Sequence, residues 1–141
     1  NNQLRGELPL ESITLNAANA VMKASVDLPQ GLKLSRHIEL GGSDLDNLEA
    51  SVGKVLQDRG IISTSFDTDK WPGNVHVQMT VGPGVKGLPA DGFSFHQGEH
   101  EVLLPPNTRM VVTKVEKGPH SSLTRIEATI LPTDPKQCCP P

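Results

Sequence analysis

The feature that constrains the fold of this chain most is a series of short β-favouring segments separated by glycine and proline. Thirteen Gly and twelve Pro are spread over 141 residues. Between them apolar and polar residues alternate, which is the pattern of strands with one buried face. Helix should therefore be the minority structure. Six strands are predicted on this basis, over residues 32–40, 61–66, 74–81, 99–104, 109–116 and 123–131.

Two segments have helical periodicity instead. Residues 11–25 carry apolar side chains at spacings of three and four, which predicts an N-terminal helix. Residues 43–60 begin with Ser43 and Asp46, which resemble a helix start, and continue with apolar residues at helical spacing. A second helix is predicted there. The segment 82–98 is rich in Gly and Pro and is expected to be a surface loop.

Length and charge narrow the class of protein. A chain of 141 residues fits one domain, which we assign to residues 1–131, followed by a Pro- and Cys-containing tail at 132–141. A net charge of -3 leaves no broad basic surface for nonspecific nucleic-acid binding. No apolar run approaches the ~20 residues that cross a bilayer. The first residues also lack the apolar core of a signal peptide, so we expect a soluble domain without a membrane partner.

Common nucleotide and metal motifs are absent from the sequence. No Gly-x-Gly-x-x-Gly follows a predicted strand, no phosphate-binding Gly-Lys-Ser/Thr occurs, and the five histidines are scattered without a metal-binding pattern. Cys138 and Cys139 are adjacent in the tail, where they match neither zinc-ligand spacing nor a long-range disulfide framework. We expect no metal and interpret these cysteines as incidental, with a reactive or intermolecularly paired thiol as the alternative.

What remains is an ordered set of three polar motifs. Arg36 lies in Leu-Ser-Arg-His, Ser-Thr-Ser occupies residues 63–65, and Glu-His-Glu at 99–101 leads into Val-Leu-Leu-Pro. This order resembles the Arg, Ser-Thr-Ser, Glu-x-Glu class of mono-ADP-ribosyltransferases, which includes the enzymatic components of clostridial binary toxins and many bacterial effector domains. The resemblance covers about residues 10–131. Ser35 departs from it, since many members have an aromatic residue just before the Arg.

The resemblance implies both a fold and an activity. The fold is α+β, with two small, mostly antiparallel β-sheets packed together, flanking helices, and NAD in the cleft between the sheets. The activity is mono-ADP-ribosyl transfer from NAD to a target macromolecule, without a metal. The setting is a bacterial toxin or effector that is secreted or delivered into a target cell and acts in its cytoplasm. An immunity protein is a further partner if the target is another bacterium.

The chemistry of the motifs supports the same activity. Breaking the nicotinamide glycosidic bond develops positive charge on the ribose, which a nearby carboxylate stabilises. Because residues two apart on a strand face the same side, Glu99 and Glu101 should point into one cleft. Arg36 offers a planar, permanently charged fork that suits the NAD phosphates.

The resemblance also assigns roles to the other motif residues. Glu101 is expected to hold the ribose 2′-hydroxyl and to stabilise the cation, while Glu99 orients or deprotonates the incoming acceptor. Ser63 would hydrogen-bond and orient Glu101. Thr64 and Ser65 would shape the NAD site.

The acceptor is predicted from the same motif. Family members with Glu at the first position of Glu-x-Glu mostly modify arginine, so Glu99 favours a protein arginine. In the family the preceding loop, here with Phe93 and Phe95, recognises the acceptor, and Phe95 is the candidate contact.

Several alternatives stay open at this stage. An RNA hydroxyl is the alternative acceptor, and with water as acceptor the chain would be an NAD glycohydrolase. A noncatalytic β-rich interaction module is the alternative from a different class, because each motif alone is common on ordinary strands.

Overall fold

The structure, a computed structural model, describes residues 12–38, 41, 47–65, 74–89, 101–117 and 124–137. Over these residues the helix α1 spans Ser12–Ala24 and a 3₁₀ turn spans Leu48–Ser51. No helix in the described ranges is long and apolar enough to cross a membrane. The strands are β1 Val26–Asp27, β2 Lys33–Ile38, β3 Val55–Asp58, β4 Ile62–Ser65, β5 Val75–Val81, β6 Lys86–Pro89, β7 Glu101–Leu104, β8 Thr108–Lys117 and β9 Thr124–Ile130.

The strands form one hydrogen-bonded network in the order β1-β6-β7-β4-β2-β5-β9-β8-β3. Neighbours are antiparallel except β5 and β9, which are parallel. One residue pair, Ser35 with Ser65, joins β2 to β4. The network therefore consists of two small sheets, a first sheet of β1-β6-β7-β4 and a second sheet of β2-β5-β9-β8-β3. The predicted fold class, with two mostly antiparallel sheets and few helices, is confirmed.

The two sheets share one apolar core, which explains the alternating pattern of the sequence. Along β9, for example, Ile126, Ala128 and Ile130 are buried and the residues between them are partly exposed. Side chains of successive strand residues point to opposite faces, so every second residue reaches the core. The main cluster takes its members from both sheets: Leu34, Ile62, Met79, Val81, Val85, Val102, Leu104, Met110, Ala128 and Ile130.

The second sheet curls around the apolar face. Its edge strand β3 is connected to β4 by only residues 59–61, although four other strands, β8, β9, β5 and β2, lie between them in the hydrogen-bonded order. Such a link can span at most about 14 Å. An ion pair between Arg36 Nη1 on β2 and Asp58 Oδ2 on β3, 3.6 Å apart, crosses the inside of this curl.

The predicted helix at 43–60 is wrong over its second half, where β3 pairs with β8. Gly53 adopts φ 85°, which a right-handed helix does not allow, and its N–H donates to the Val112 carbonyl at 2.8 Å. Val55 and Leu56 fit a helical spacing and a strand equally well, and pairing with β8 decides between the two. The predicted helix start at Ser43 and Asp46 lies outside the described residues.

The other elements follow the sequence more closely. The N-terminal helix is confirmed as α1, and Ala18 is fully buried among those of its side chains that the structure describes. The segment predicted as a loop contains the strand β6 at its centre, so that prediction is wrong for Lys86–Pro89. In the predicted tail, Thr133 and Gln137 hydrogen-bond to the body of the domain.

Candidate active site

Arg36 lies on β2 and points to the apolar side of the sheet, as its position among Leu34 and Ile38 predicts. Its guanidinium is held near Asp58, which is fixed in turn because its Oδ1 accepts the Gly60 N–H at 2.8 Å. About a third of the Arg36 side chain stays exposed, at 32%. The ion pair therefore orients the fork and leaves donors for a ligand.

The Ser-Thr-Ser segment forms β4, between β2 and β7. Ser65 pairs in register with Ser35 on one side and with Glu101 on the other. Residues paired across neighbouring strands share a face of the sheet, so these three residues form a polar row. The row continues through Gln78 on β5 to Glu127 on β9.

Ser63 lies on the same face as Glu101 but diagonally across from it. Ser63 pairs with Leu103, two residues along β7 from Glu101. A diagonal neighbour is still within reach of a long side chain. That Ser63 orients Glu101 stays a prediction, and the register gives Ser65 as the residue directly opposite.

A pocket of about 180 Å³, which we call the polar pocket, lies between β2 and β4. In the described parts of the two strands only the Ser35–Ser65 pair joins them, so they separate beyond it. The pocket is lined by Ser35, Arg36, His37, Ser63 and Thr64. Thr64 also donates its hydroxyl to the Val102 carbonyl at 2.8 Å, which fixes β4 to β7.

A larger cavity of about 580 Å³, the apolar cavity, lies inside the curl of the second sheet. Its size falls within the ~300–1,000 Å³ typical of ligand pockets. Most of its wall is apolar, with residues such as Val77, Met110 and Ile126, and its polar lining includes Arg36 and Asp58. Arg36 thus lines both the apolar cavity and the polar pocket.

The structure brings together most, but not all, of the residues predicted from sequence. Arg36, Ser63 and Thr64 line one pocket, and Ser65 with half-buried Glu101 lies on the adjoining strands. Glu99, Phe93 and Phe95 lie outside the described residues. Among the described residues, no group of three or more His, Cys, Asp or Glu could hold a metal ion.

Sequence reasoning missed two histidines beside this site. His37 follows Arg36 and lines the polar pocket, and His76 lies opposite His37 on β5. The two positions are 39 residues apart in sequence, so only the pairing of β2 with β5 brings them together. No local sequence pattern could have found them.

Known proteins resemble this chain in sequence and in fold. The family model for ADP-ribosyltransferase exoenzymes matches residues 20–132. The Photox toxin of Photorhabdus laumondii subsp. laumondii is 30% identical over 86 residues, which are 59% of this chain and 21% of that protein. The match thus spans about a fifth of that relative.

Solved structures share the fold. C3larvin toxin, an ADP-ribosyltransferase from Paenibacillus larvae, matches with a TM-score of 0.69 and 22% identity, covering 94% of this chain and 80% of that one. C3stau2 from S. aureus, solved with NAD, matches with a TM-score of 0.69 and 16% identity, covering 91% and 74%. At these identities the likeness concerns the fold alone.

Proposed function

Because this chain belongs to the ADP-ribosyltransferase exoenzyme family, we propose that it is a toxin catalytic domain that transfers ADP-ribose from NAD to a target protein. The observation that carries the proposal is that Arg36 lines both the polar pocket and the apolar cavity. NAD has a corresponding arrangement, because its diphosphate lies between two nucleosides as Arg36 lies between two cavities. A guanidinium fork between two cavities suits that diphosphate.

The two cavities differ in polarity, and each suits a different half of NAD. The apolar cavity suits adenine, which is bound by apolar walls and few polar contacts. The polar pocket suits the nicotinamide riboside, because Ser63 lines it and Glu101 lies diagonally across from Ser63. In this arrangement Asp58 orients Arg36 toward the diphosphate.

Glu101 then acts on the bond that breaks. As the bond between nicotinamide and ribose C1′ lengthens, the electron pair leaves with nicotinamide and positive charge develops on the ribose. The Glu101 carboxylate stabilises that charge. An acceptor nucleophile attacks C1′ and loses its proton, for which Glu99 is the proposed base.

We propose a protein arginine as the acceptor, with Phe95 as a contact. A carboxylate at position 99 can bind a guanidinium through two hydrogen bonds and assist removal of its proton. The family and the toxin relative support delivery into a target cell, with action in its cytoplasm. An immunity protein is a further proposed partner where that cell is bacterial.

The first test is release of nicotinamide from NAD by the purified chain. Release that depends on Glu101 supports the proposal, and no binding or cleavage of NAD would instead support a noncatalytic interaction module. Cleavage without labelling of any acceptor would identify an NAD glycohydrolase.

The second test identifies the acceptor with labelled NAD in a cell lysate. Label on arginine is removed by protease and released by neutral hydroxylamine. Label that resists protease and disappears with ribonuclease would identify RNA, and would refute the arginine assignment alone.

A further inference from the structure

The apolar cavity opens to solvent along one of its walls. Its exposed lining residues are Leu56 and Gln57 on β3 and Arg59 in the link to β4. Leu56, for example, keeps 42% of its surface exposed. Deeper in the cavity the wall consists of buried apolar side chains such as Met79 and Val112. A ligand that enters this cavity therefore passes Arg59.

Three charged residues line the apolar cavity in the described parts of the chain, and two of them neutralise each other. Arg36 and Asp58 form the ion pair at 3.6 Å, and Asp58 Oδ1 also accepts the Gly60 N–H. Arg59 forms no ion pair with any other described residue. It therefore gives the cavity one uncompensated positive charge, which favours an anionic group at this point.

In the proposed complex Arg59 lies on the adenosine side of the diphosphate. Arg36 lines both cavities, whereas Arg59 lines the apolar cavity and not the polar pocket. The adenosine ribose joins the diphosphate at Arg36 to adenine in the apolar cavity, so the ribose 2′ position lies on the same side as Arg59. In dinucleotide sites of another fold, an arginine near this position accommodates a 2′-phosphate, whereas a carboxylate binds the 2′-hydroxyl of NAD.

We infer that Arg59 binds a 2′-phosphate on the adenosine ribose, so that this chain takes NADP as a substrate as well as NAD. This inference rests on the proposed function. Asp58 is the one carboxylate that lines the apolar cavity within the described ranges, and Arg36 and Gly60 already engage it. The guanidinium of Arg59 is always charged and can donate two hydrogen bonds to one phosphate. The bond that breaks at the nicotinamide ribose is the same in both dinucleotides.

The first measurement compares the affinities of adenosine 5′-phosphate and adenosine 2′,5′-bisphosphate by calorimetry, because these probes differ only in the 2′-phosphate. Wild type should bind the bisphosphate at least about fivefold more tightly, since a charge-assisted contact is added. Arg59→Gln should lose this preference, whereas Arg59→Lys, which keeps the charge, should retain at least about twofold. Arg109→Gln is the matched control, because Arg109 is exposed on β8 and lines neither cavity.

The wild-type comparison requires no variant, and a bisphosphate that binds no more tightly than the monophosphate would overturn the inference. An equal preference for the bisphosphate in wild type and Arg59→Gln would overturn the role of Arg59.

The second measurement is nicotinamide release from NAD and from NADP. The wild-type kcat/KM for NADP should lie within about tenfold of that for NAD, and Arg59→Gln should lower it at least about tenfold for NADP but at most about threefold for NAD. Cleavage of NAD without cleavage of NADP would overturn this inference and leave the proposed function standing. A wild-type chain that neither binds nor cleaves either dinucleotide counts against both.

Discussion

Arg36 is the residue whose surroundings most directly link the fold to the proposed chemistry. It belongs to the apolar face of β2, yet it reaches the polar pocket because β2 and β4 separate next to it. Asp58 holds the guanidinium from the opposite side of the curl. A single side chain can therefore contact both halves of a ligand that extends through the gap between the sheets.

Replacing Glu101 with Gln should reduce NAD cleavage by ~10²–10³, because the change removes the charge that opposes the developing cation and keeps the shape. Steady-state nicotinamide release is the measurement. Glu49→Gln is the control, since the Glu49 side chain is 68% exposed on the 3₁₀ turn and lines neither cavity. More than a tenth of wild-type turnover in Glu101→Gln would contradict the assignment.

Arg36→Lys should raise the KM for NAD by about tenfold and leave the circular dichroism spectrum unchanged. Lys keeps a positive charge for Asp58 but loses the planar fork that binds phosphate through two hydrogen bonds. Arg109→Lys, at an exposed position on β8, is the matched control. If KM is the same in Arg36→Lys and wild type, Arg36 has a structural role only.

Glu99→Gln should separate cleavage of NAD from transfer. Glu101 still stabilises the cation in this variant, so much of the glycohydrolase activity is retained, while transfer to the acceptor falls at least tenfold. Parallel assays of nicotinamide release and of acceptor labelling measure the two steps. Equal losses in both assays would mean that Glu99 serves the cleavage step and not the acceptor.

At the level of elements, β5 and β9 lie side by side and approach each other closely where they end. The two strands are the one parallel pair among the described strands, and they remain in register from Val75 to Val81. Gly82 follows directly, buried beside the end of β9. The absence of a side chain there allows the two backbones to lie close together.

Gly82→Ala should therefore destabilise the domain by about 1–3 kcal/mol. An added Cβ would lie 2.7 Å from the Ile130 carbonyl oxygen, which is backbone and cannot move without disturbing β9. Urea unfolding measures the change through its midpoint. Gly41→Ala is the control, because a Cβ there meets no atom of the described residues within 4 Å. Equal midpoints for both variants would refute the close-packing argument.

At the level of the whole molecule, the segment after β9 closes one end of the domain. The Thr133 N–H donates to the Gly84 carbonyl at 3.0 Å, and the Thr133 hydroxyl oxygen accepts the Lys86 N–H at 2.8 Å. Gln137 accepts from Asn107 at 2.6 Å and donates to the Pro106 carbonyl at 3.0 Å. These contacts extend beyond the domain boundary that we predict at residue 131.

A chain that ends at Leu131 should lose about 2–6 kcal/mol of stability, since each of the four lost hydrogen bonds contributes ~0.5–1.5 kcal/mol. Thermal unfolding is the measurement. A chain that ends at Gln137 is the control, because it keeps all four contacts and should unfold at the wild-type temperature. If both truncated chains unfold together at that temperature, the segment is a dispensable tail.

Part of this structure could be predicted from the sequence because it depends on neighbours in the chain. The alternation along residues 74–81 and 123–131 appears as β5 and β9, and the helical spacing at 11–25 appears as α1. Local patterns of this kind record which side of an element faces the core. The three motifs, in their order, were also sufficient to identify the family.

Only the tertiary structure decided the remainder, because pairing between distant segments overrides local preference. Val55–Asp58 fits a helix by spacing, but β8 makes it a strand. The position of Arg36 between two cavities depends on the curl of one sheet and on the single pair that joins it to the other. The stack of His37 on His76 likewise requires two strands to lie side by side, which no single segment of sequence specifies.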